Sequence, residues 1–307
     1  MRLLTRSDFD GIVCAVLLKQ VEPIDTIEFC HPKDMQDGKI EVTNQDIITN
    51  LPYHPNAFMW FDHHASEAVR NQQVSFKGRC EVAPSAARVV YDYYAAQGKA
   101  EKLERFKPLL NEVDKFDSAQ LTPEDVTNPQ GWMLLSYIMD PRTGLGKQHD
   151  YQVSNKELML KMVDWIEKHS LEEILELPDV KERIKRYKED EQNFKEALLK
   201  HSRQEESVVI TDFRNVVAPV GNRFLIYTLF PTANISVRIM DGKQNETVVV
   251  AVGHSIFNRT AKTDVGALMA KYGGGGHSGA GTCQLPVSQA DEKIAQIIEE
   301  IKKTERG

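Results

Sequence analysis

The chain has 307 residues, a hydrophobic fraction of 41%, a charged fraction of 27% and a formal net charge of −7 at pH 7. A chain of this length is expected to form two domains. Proteins that bind long duplex nucleic acid present a basic face to the phosphates, so the negative charge argues against such a partner. The sequence contains no run of about 18 apolar residues, which argues against a membrane span.

The cysteines and the first residues bear on the compartment. Cys14, Cys30, Cys80 and Cys283 form no CxxC pair, so neither a zinc ribbon nor a disulfide framework is predicted. Free thiols are typical of a reducing compartment. Residues 1–11 lack the apolar stretch of a secretory signal. We therefore expect a cytoplasmic protein.

The first part of the chain alternates strand-like and helical segments. The strand-like runs are 2–5, 24–30, 46–51 and 57–61, and the helical runs are 11–21 and 84–98. Strands that alternate with helices predict a parallel sheet with right-handed crossovers. The predicted fold class is α/β, with a Rossmann-like N-terminal domain.

The second part changes in texture. Residues 155–206 are helical and charged, and they are followed by β-like segments at 207–213, 215–220, 234–240 and 246–254, a helix at 264–272, a glycine run and a last helix from Gln289. We predict a catalytic domain over 1–178, a linker helix over 179–204 and a smaller α/β substrate-binding domain over 205–307.

Two carboxylates follow the first predicted strand. Asp8 and Asp10 are separated by one residue, and Gly11 opens the next helix. In an open parallel sheet, ligands bind beyond the carboxyl ends of the strands. Such an oxygen-rich turn is suited to a hard cation. The alternative is a helix-capping aspartate beside a surface aspartate.

The strand at 57–61 runs into Asp62, His63 and His64. Mixed aspartate and histidine ligation suits Mn²⁺ or a similar ion, whereas an all-oxygen site would suit Mg²⁺ or Ca²⁺. With the first turn expected on a nearby strand, these residues predict a metal site. The alternative is two histidines that only begin a loop. The acidic segment 112–117 could supply one more carboxylate, although a solvated turn is its simpler interpretation.

The C-terminal part contains the sequence GGGGHSGAG at 273–281. Such a run lets backbone N–H groups approach an anion closely, and His277 adds a donor. A flexible linker is the alternative, but a strand-like segment follows directly. Arg238 and Arg259 are further candidates, because a guanidinium binds phosphate in a bidentate way.

Together these pieces resemble the DHH phosphoesterase superfamily with its DHH-associated C-terminal domain. The match covers almost the whole chain, through SDFDG, the DHH triplet, the acidic segment with Asp114 and Asp117, and the glycine run. The superfamily includes RecJ-like exonucleases, nano-RNases that also dephosphorylate 3′-phosphoadenosine 5′-phosphate, dinucleotide phosphodiesterases and exopolyphosphatases. The resemblance implies a site between two domains for one or two divalent ions, with Mn²⁺ expected and Mg²⁺ or Co²⁺ as alternatives.

The resemblance also implies roles for individual residues. The implied metal ligands are Asp8, Asp10, His63 and Asp114, with Asp62 and His64 ligating or orienting and Asn50 at the place of a bridging ligand. The implied catalytic residues are Asp62, His63 and His64. The implied substrate-binding residues are His277, Gly275, Gly276, Ser278, Gly279 and Arg259. Arg238 and Arg6 are added to them as candidate cations from the sequence itself.

Two positions depart from the family pattern. Arg6 stands near the start of the first motif, where many members have a histidine. Asn50 stands where an aspartate bridges two metals, and an amide brings no negative charge to offset two dications. The site is therefore expected to bind one metal tightly and a second weakly, or to use Arg6 as an electrostatic substitute.

The preferred hypothesis is a metal-dependent phosphoesterase for short oligonucleotides, dinucleotides or 3′-phosphorylated nucleotides, in which His64 or Asp62 protonates the leaving oxygen. An exopolyphosphatase or pyrophosphatase ranks lower, because no lysine–arginine run accompanies the motifs. A nucleotide-binding sensor without catalysis ranks third and is supported by Arg6 and Asn50. Neither a membrane nor a long duplex is an expected partner, and a homodimer is left open.

Overall fold

The computed structural model describes the chain except for residues 148–149, 218 and 243–245. The chain divides into two compact units. The first comprises residues 1–121 and 129–186, and the second comprises residues 122–128 and 187–307. The division at Arg186 falls within the predicted linker helix.

The first unit is built on a parallel sheet. Its strands are β1 (Arg2–Arg6), β2 (Thr26–Cys30), β3 (Asp46–Thr49), β4 (Met59–Asp62) and β5 (Gly78–Cys80). The order across the sheet is β2-β1-β3-β4-β5, and every neighbouring pair is parallel. The predicted α/β fold with a parallel sheet is confirmed.

Helices surround this sheet. Numbered along the whole chain, they are α1 (Phe9–Val21), α2 (Pro32–Gln36), α3 (Ala65–Arg70), α4 (Ala86–Tyr94), α5 (Ala100–Leu103), α6 (Lys107–Asp117), α8 (Gly131–Met139), α9 (Asn155–Lys168) and α10 (Leu171–Glu176). Short turns of other helix types lie at Ala95–Lys99, Glu104–Phe106, Pro141–Thr143 and Leu145–Lys147. Helix α11 (Pro178–His201) begins in this unit and ends in the second.

Helix α1 explains the apolar run that follows the first strand. Every residue from Phe9 to Leu18 is buried, because the helix contacts β1 as well as α4, α6 and α9. A helix enclosed in this way requires apolar residues around its whole circumference instead of along one stripe.

The second unit contains a mixed sheet. Its strands are β6 (Ser202–Glu205), β7 (Val208–Asp212), β8 (Ile235–Asp241), β9 (Thr247–His254), β10 (Gly275–His277) and β11 (Ala280–Pro286), in the order β10-β11-β9-β8-β7-β6. Neighbours are antiparallel except for β7 and β8. The helices that lie wholly in this unit are α7 (Pro123–Thr127), α12 (Leu225–Leu229), α13 (Val265–Lys271) and α14 (Val287–Arg306). The apolar core lies between the sheet and α13 and α14.

The predicted strand at 215–220 does not form among its described residues, and Ala218 lies outside them. Asn215 has a positive φ of 58°, which an extended strand does not accommodate. The physical reason is topological. Because β7 and β8 are parallel, the chain between them has to cross back along the sheet. Within the described part of the chain, no helix is both long and apolar enough to cross a membrane.

Gly11 lies where β1 gives way to α1. A Cβ atom on residue 11 would come within 2.0 Å of the Arg6 carbonyl oxygen and 2.8 Å of Thr5 Oγ1. Since the first of these atoms belongs to the backbone, it cannot move away without shifting the strand. This turn therefore requires glycine.

We predict that Gly11→Ala lowers the free energy of unfolding by about 2 kcal/mol, the typical cost of overpacking. The sign of this change is informative, because helix propensity alone predicts the opposite: alanine is a better helix former than glycine by about 1 kcal/mol. Urea unfolding followed by circular dichroism measures the change. Gly275→Ala is the matched control, since a Cβ atom there has nothing within 4 Å. A stabilised Gly11→Ala protein would contradict the steric argument.

Candidate metal centre

Three neighbouring strands of the first unit end in polar residues. β1, β3 and β4 lie side by side in that order. Asp8 follows β1, Asn50 follows β3, and Asp62 ends β4 and is followed by His63 and His64. Because these strands are parallel, the five residues lie at one carboxyl edge of the sheet, as expected for a ligand site in such a fold.

Asp10 is held by the first turn of α4. Its Oδ2 accepts the Ala86 backbone N–H at 2.9 Å, and its Oδ1 accepts that of Ala87 at 2.8 Å. Burial raises the pKa of Asp10 well above its ordinary value, and the charges of Asp117 and Asp8 raise it further, against the lowering effect of the two amides. A cation beside Asp10 would relieve this repulsion.

His63 presents an unengaged ring nitrogen to the same cluster. Its Nδ1 lies 3.2 Å from the Ala83 carbonyl oxygen, which can only accept, so Nδ1 carries the hydrogen. In the neutral ring, Nε2 then keeps its lone pair. It is buried, makes no hydrogen bond with the described residues, and lies 3.2 Å from Asp117 Oδ2 and 3.8 Å from Asp10 Oδ2. This is the arrangement of a metal-binding histidine, with its other nitrogen fixed by a carbonyl group.

Asp62 and His64 form a pair behind His63. Asp62 is fully buried, its Oδ1 lies 2.9 Å from His64 Nδ1, and its Oδ2 makes no hydrogen bond within the described part of the chain. Burial lowers the pKa of His64, but the hydrogen bond and charge of Asp62 outweigh burial, so the net shift is upward.

The acidic segment contributes Asp117 to the cluster and not Asp114. Asp114, one helical turn earlier on α6, accepts the Ser85 hydroxyl at 2.7 Å on Oδ1 and the Arg88 guanidinium at 2.6 and 2.8 Å on Oδ2. Asp117 faces His63 instead, and burial is the main cause of its raised pKa. Arg88 neutralises the Asp114 carboxylate, whereas Asp117 lies in the cluster; the ligand role of Asp114 stays a prediction.

The donor atoms fall into two overlapping groups that share His63. The ligand atoms of Asp10, His63 and Asp117 lie within 4.8 Å of one another, and so do those of Asp62, His63 and His64. Buried polar atoms without a partner cost free energy. His63 belongs to both groups and its buried Nε2 has no hydrogen bond to a described residue, so the residues present fit a divalent ion.

Asp8 already has protein partners on both oxygens. Arg6 Nε lies 3.0 Å from its Oδ2, while its Oδ1 accepts the Gly11 N–H at 3.0 Å and the Asn50 Nδ2–H at 3.2 Å. Asn50 is only 2% exposed and has a positive φ of 53°. Its Oδ1 is buried without a hydrogen bond to any described residue.

Arg142 is a residue of this site to which the sequence pattern assigned no role. Its Nε donates to Asp140 Oδ1 at 2.7 Å. Burial lowers the pKa of Arg142, but Asp140 and then Asp8 and Asp117 raise it to a net upward shift. Arg142 therefore lies close to two carboxylates of the cluster. An arginine in a turn is too common a signal to single out in one sequence.

Arg238 is a half-buried cation on the sheet of the second unit. Its guanidinium lies 5.9 Å from the Phe194 ring, and burial lowers its pKa. Among the described residues, no carboxylate contributes to that shift; Tyr227 alone opposes it. The Tyr227 hydroxyl lies 2.7 Å from Ser236 Oγ, two residues before Arg238 on β8. A half-buried guanidinium without an acidic partner is suited to an anionic ligand.

The glycine run is part of this sheet and not an open loop. Gly275 and Gly276 belong with His277 to β10, which pairs with β11. At Gly276, with φ of 158°, a Cβ atom would lie 2.2 Å from the Ala280 carbonyl oxygen. Gly276 is therefore needed for close backbone packing. All three residues of β10 are exposed.

The remaining predicted substrate-binding residues of the second unit are Ser278, Gly279 and Arg259. The Ser278 and Gly279 carbonyl groups accept backbone N–H groups from Val265 and His254, at 2.9 and 2.8 Å. The glycine hairpin is thus fixed to α13 and β9. Arg259 is exposed, and its Nε donates to the carbonyl of its own turn at 3.0 Å.

Solved structures identify the class of protein. A pGpG-specific phosphodiesterase from Vibrio cholerae, PggH, is 45% identical to the chain, with a TM-score of 0.83 and coverage of 99% of each chain. The DHH domain of a member of the S1p family of ribosomal proteins is 13% identical, covers 99% of this chain and 87% of that one, and has a TM-score of 0.57, which shows the fold alone. No protein-family model matches the chain, and no curated protein matches it.

The chain therefore belongs to the DHH phosphoesterase superfamily, and the resemblance predicted from its motifs is confirmed. Together with the cluster around His63, this makes it a hydrolase that acts on phosphoester bonds, as the sequence predicted.

The contrast between the two aspartates of α6 is testable. We predict that Asp117→Asn weakens Mn²⁺ binding by about 100-fold, because it removes a charge beside the His63 nitrogen. Asp114→Asn is the matched control and should change the affinity by no more than about threefold. Isothermal titration calorimetry on metal-free protein measures both. A larger loss for Asp114→Asn would show that Asp114 is the ligand.

Proposed function

We propose that this chain is a metal-dependent phosphodiesterase that hydrolyses linear dinucleotides of the pGpG type. The observation that carries the proposal is the identity of 45% over 99% of both chains with a pGpG-specific phosphodiesterase. The site supports it, because buried ligand atoms without partners lie beside a histidine that is paired with a carboxylate.

In this proposal Asp10, His63 and Asp117 hold the ion, and Asp62 contributes its unpaired oxygen. Mn²⁺ is the proposed ion, because one imidazole nitrogen among carboxylate oxygens suits a metal of intermediate softness better than Mg²⁺ or Ca²⁺. A divalent ion supplies this site with a lowered pKa for water and with charge to offset the phosphoryl oxygens.

His64 is the proposed proton donor to the leaving oxygen. A general acid has to be protonated near the working pH. The neighbouring Asp62 raises the pKa of His64 and so keeps more of the imidazole protonated at neutral pH. Asp62 also fixes the orientation of the ring through the contact of 2.9 Å with Nδ1.

In the second unit, Arg238 is the proposed phosphate ligand. His277 and the exposed parts of the glycine hairpin are proposed to bind phosphate as well. A substrate with two or three phosphate groups needs only a few local cations. That requirement agrees with a chain whose net charge is −7, and it disfavours a long polyanion such as polyphosphate.

All four cysteines are free thiols. We propose that the enzyme works in a reducing compartment, the cytoplasm, where such thiols stay reduced.

Turnover of defined substrates tests the function. We expect Mn²⁺-dependent release of mononucleotide from pGpG, with lower kcat/KM for pApA, cyclic diguanylate, RNA of three to five nucleotides, 3′-phosphoadenosine 5′-phosphate and polyphosphate. His63→Ala should lower kcat by about 1000-fold or more, because it removes the residue that both donor groups share.

The matched control for that variant is His169→Ala, an exposed histidine at the end of α9, which should keep full turnover. Faster hydrolysis of polyphosphate than of pGpG would favour an exopolyphosphatase instead. Tight pGpG binding without turnover at any divalent ion would favour a sensor. Full activity of His63→Ala would overturn the site assignment.

Arg238 gives a separate prediction about binding. Arg238→Met keeps much of the side-chain volume but removes the charge, so KM for pGpG should rise about 10- to 100-fold, the loss expected for one charge-assisted hydrogen bond. We expect kcat to stay within about threefold of the native value, because loss of a contact made equally in the ground state and the transition state raises KM and leaves kcat unchanged. Steady-state kinetics measure both, and Arg203→Met, an exposed arginine on β6, is the control. An unchanged KM would remove Arg238 from the substrate site.

A further inference from the structure

Among the described residues of the cluster, Asp8 is the carboxylate that forms an ion pair with an arginine. Its Oδ2 forms an ion pair with Arg6, and its Oδ1 accepts two N–H groups. In contrast, Asp62 Oδ2 and His63 Nε2 are buried without hydrogen bonds to described residues. Among the ionisable side chains of the cluster, the buried atoms without a hydrogen bond to a described residue therefore belong to Asp62 and His63 and not to Asp8.

Asn50 strengthens this asymmetry. It is buried beside Asp8 and offers its amide N–H to the carboxylate. A donor in that place repels a metal ion, whereas a ligand would have to present an oxygen. Being neutral, Asn50 also adds no negative charge that a second dication would need. Its backbone is anchored, since its N–H donates to the Phe61 carbonyl at 3.0 Å and its φ is positive.

Arg6 carries a permanent charge in this position. A guanidinium stays protonated at all physiological pH values and cannot be removed by a chelator. Only its Nε contacts Asp8, and its other N–H groups donate to no other residue in the described parts of the chain. The guanidinium also lies close enough to His64 to affect its electrostatics. Arg6 can therefore balance Asp8 and still offer donors to a phosphoryl oxygen.

We propose that this centre binds a single divalent ion at Asp10, His63 and Asp117, and that the Arg6 guanidinium, supported by Asn50, takes the place of a second ion at Asp8. This inference rests on the proposed function in one respect, namely that the centre binds a divalent ion at all. The protein thus divides the charge that faces the substrate between an exchangeable metal and a fixed side chain.

Counting bound ions tests this inference without any substrate. Metal-free protein is titrated with Mn²⁺ and followed by electron paramagnetic resonance and by equilibrium dialysis with elemental analysis. We expect one Mn²⁺ per chain and an uncoupled mononuclear spectrum. Two tightly bound ions with an exchange-coupled spectrum in the native protein would overturn the proposal.

A variant should convert the centre. Arg6→His combined with Asn50→Asp replaces a guanidinium and an amide by two metal ligands, so we expect a second Mn²⁺ per chain and a coupled spectrum. Arg6→Lys is the matched control, because it keeps the charge without adding a ligand, and it should still bind one ion.

A double variant with native circular dichroism that still binds one ion would count against the exchange of Arg6 for a metal. If the double variant fails to fold, the stoichiometry of the native protein decides alone. A chain that binds one ion but does not hydrolyse pGpG would contradict the proposed function and leave this inference standing.

Discussion

Three buried carboxylates at one edge of a parallel sheet, with a half-buried fourth beside them, are the constraint on which the first unit depends. They are Asp8, Asp10, Asp62 and Asp117, and the first two and the last repel one another. In a region of low polarity such repulsion is costly unless positive charge is supplied. The protein supplies a guanidinium to the first, the N-terminus of a helix to the second and an imidazole to the third. Around His63, the buried atoms His63 Nε2 and Asp62 Oδ2 have no hydrogen bond to a described residue, and this is why we infer that an ion completes the site.

The sequence could predict that the DFDG turn and the DHH triplet meet. Buried strands are recognisable from their composition, and the carboxyl ends of parallel strands share an edge whatever the exact order. The position of β3 between β1 and β4 was not visible in any local pattern. That position brings Asn50 against Asp8, and it depends on hydrogen bonds between strands that are distant along the chain.

Other features depend on tertiary contacts that spacing does not encode. Asp114 and Asp117 lie one helical turn apart on the same face of α6, so either could reach the cluster; Arg88 on another helix decides by pairing with Asp114. The glycine run predicted a site where backbone N–H groups bind an anion. Close backbone packing requires the same glycine-rich sequence, as Gly276 shows. The isolation of Arg238 from acidic side chains is equally invisible before the sheet is formed.

Gly11 packs against the backbone carbonyl of Arg6 and not against its side chain. The steric need for glycine at position 11 is therefore independent of which side chain stands at position 6, while the charge at the sheet edge depends on that side chain directly. A single codon change there can alter the electrostatic character of the centre without refolding the scaffold. In such an enzyme, single substitutions at this position can exchange a bound metal ion for a permanently charged side chain, and so change how far the enzyme depends on the supply of metal.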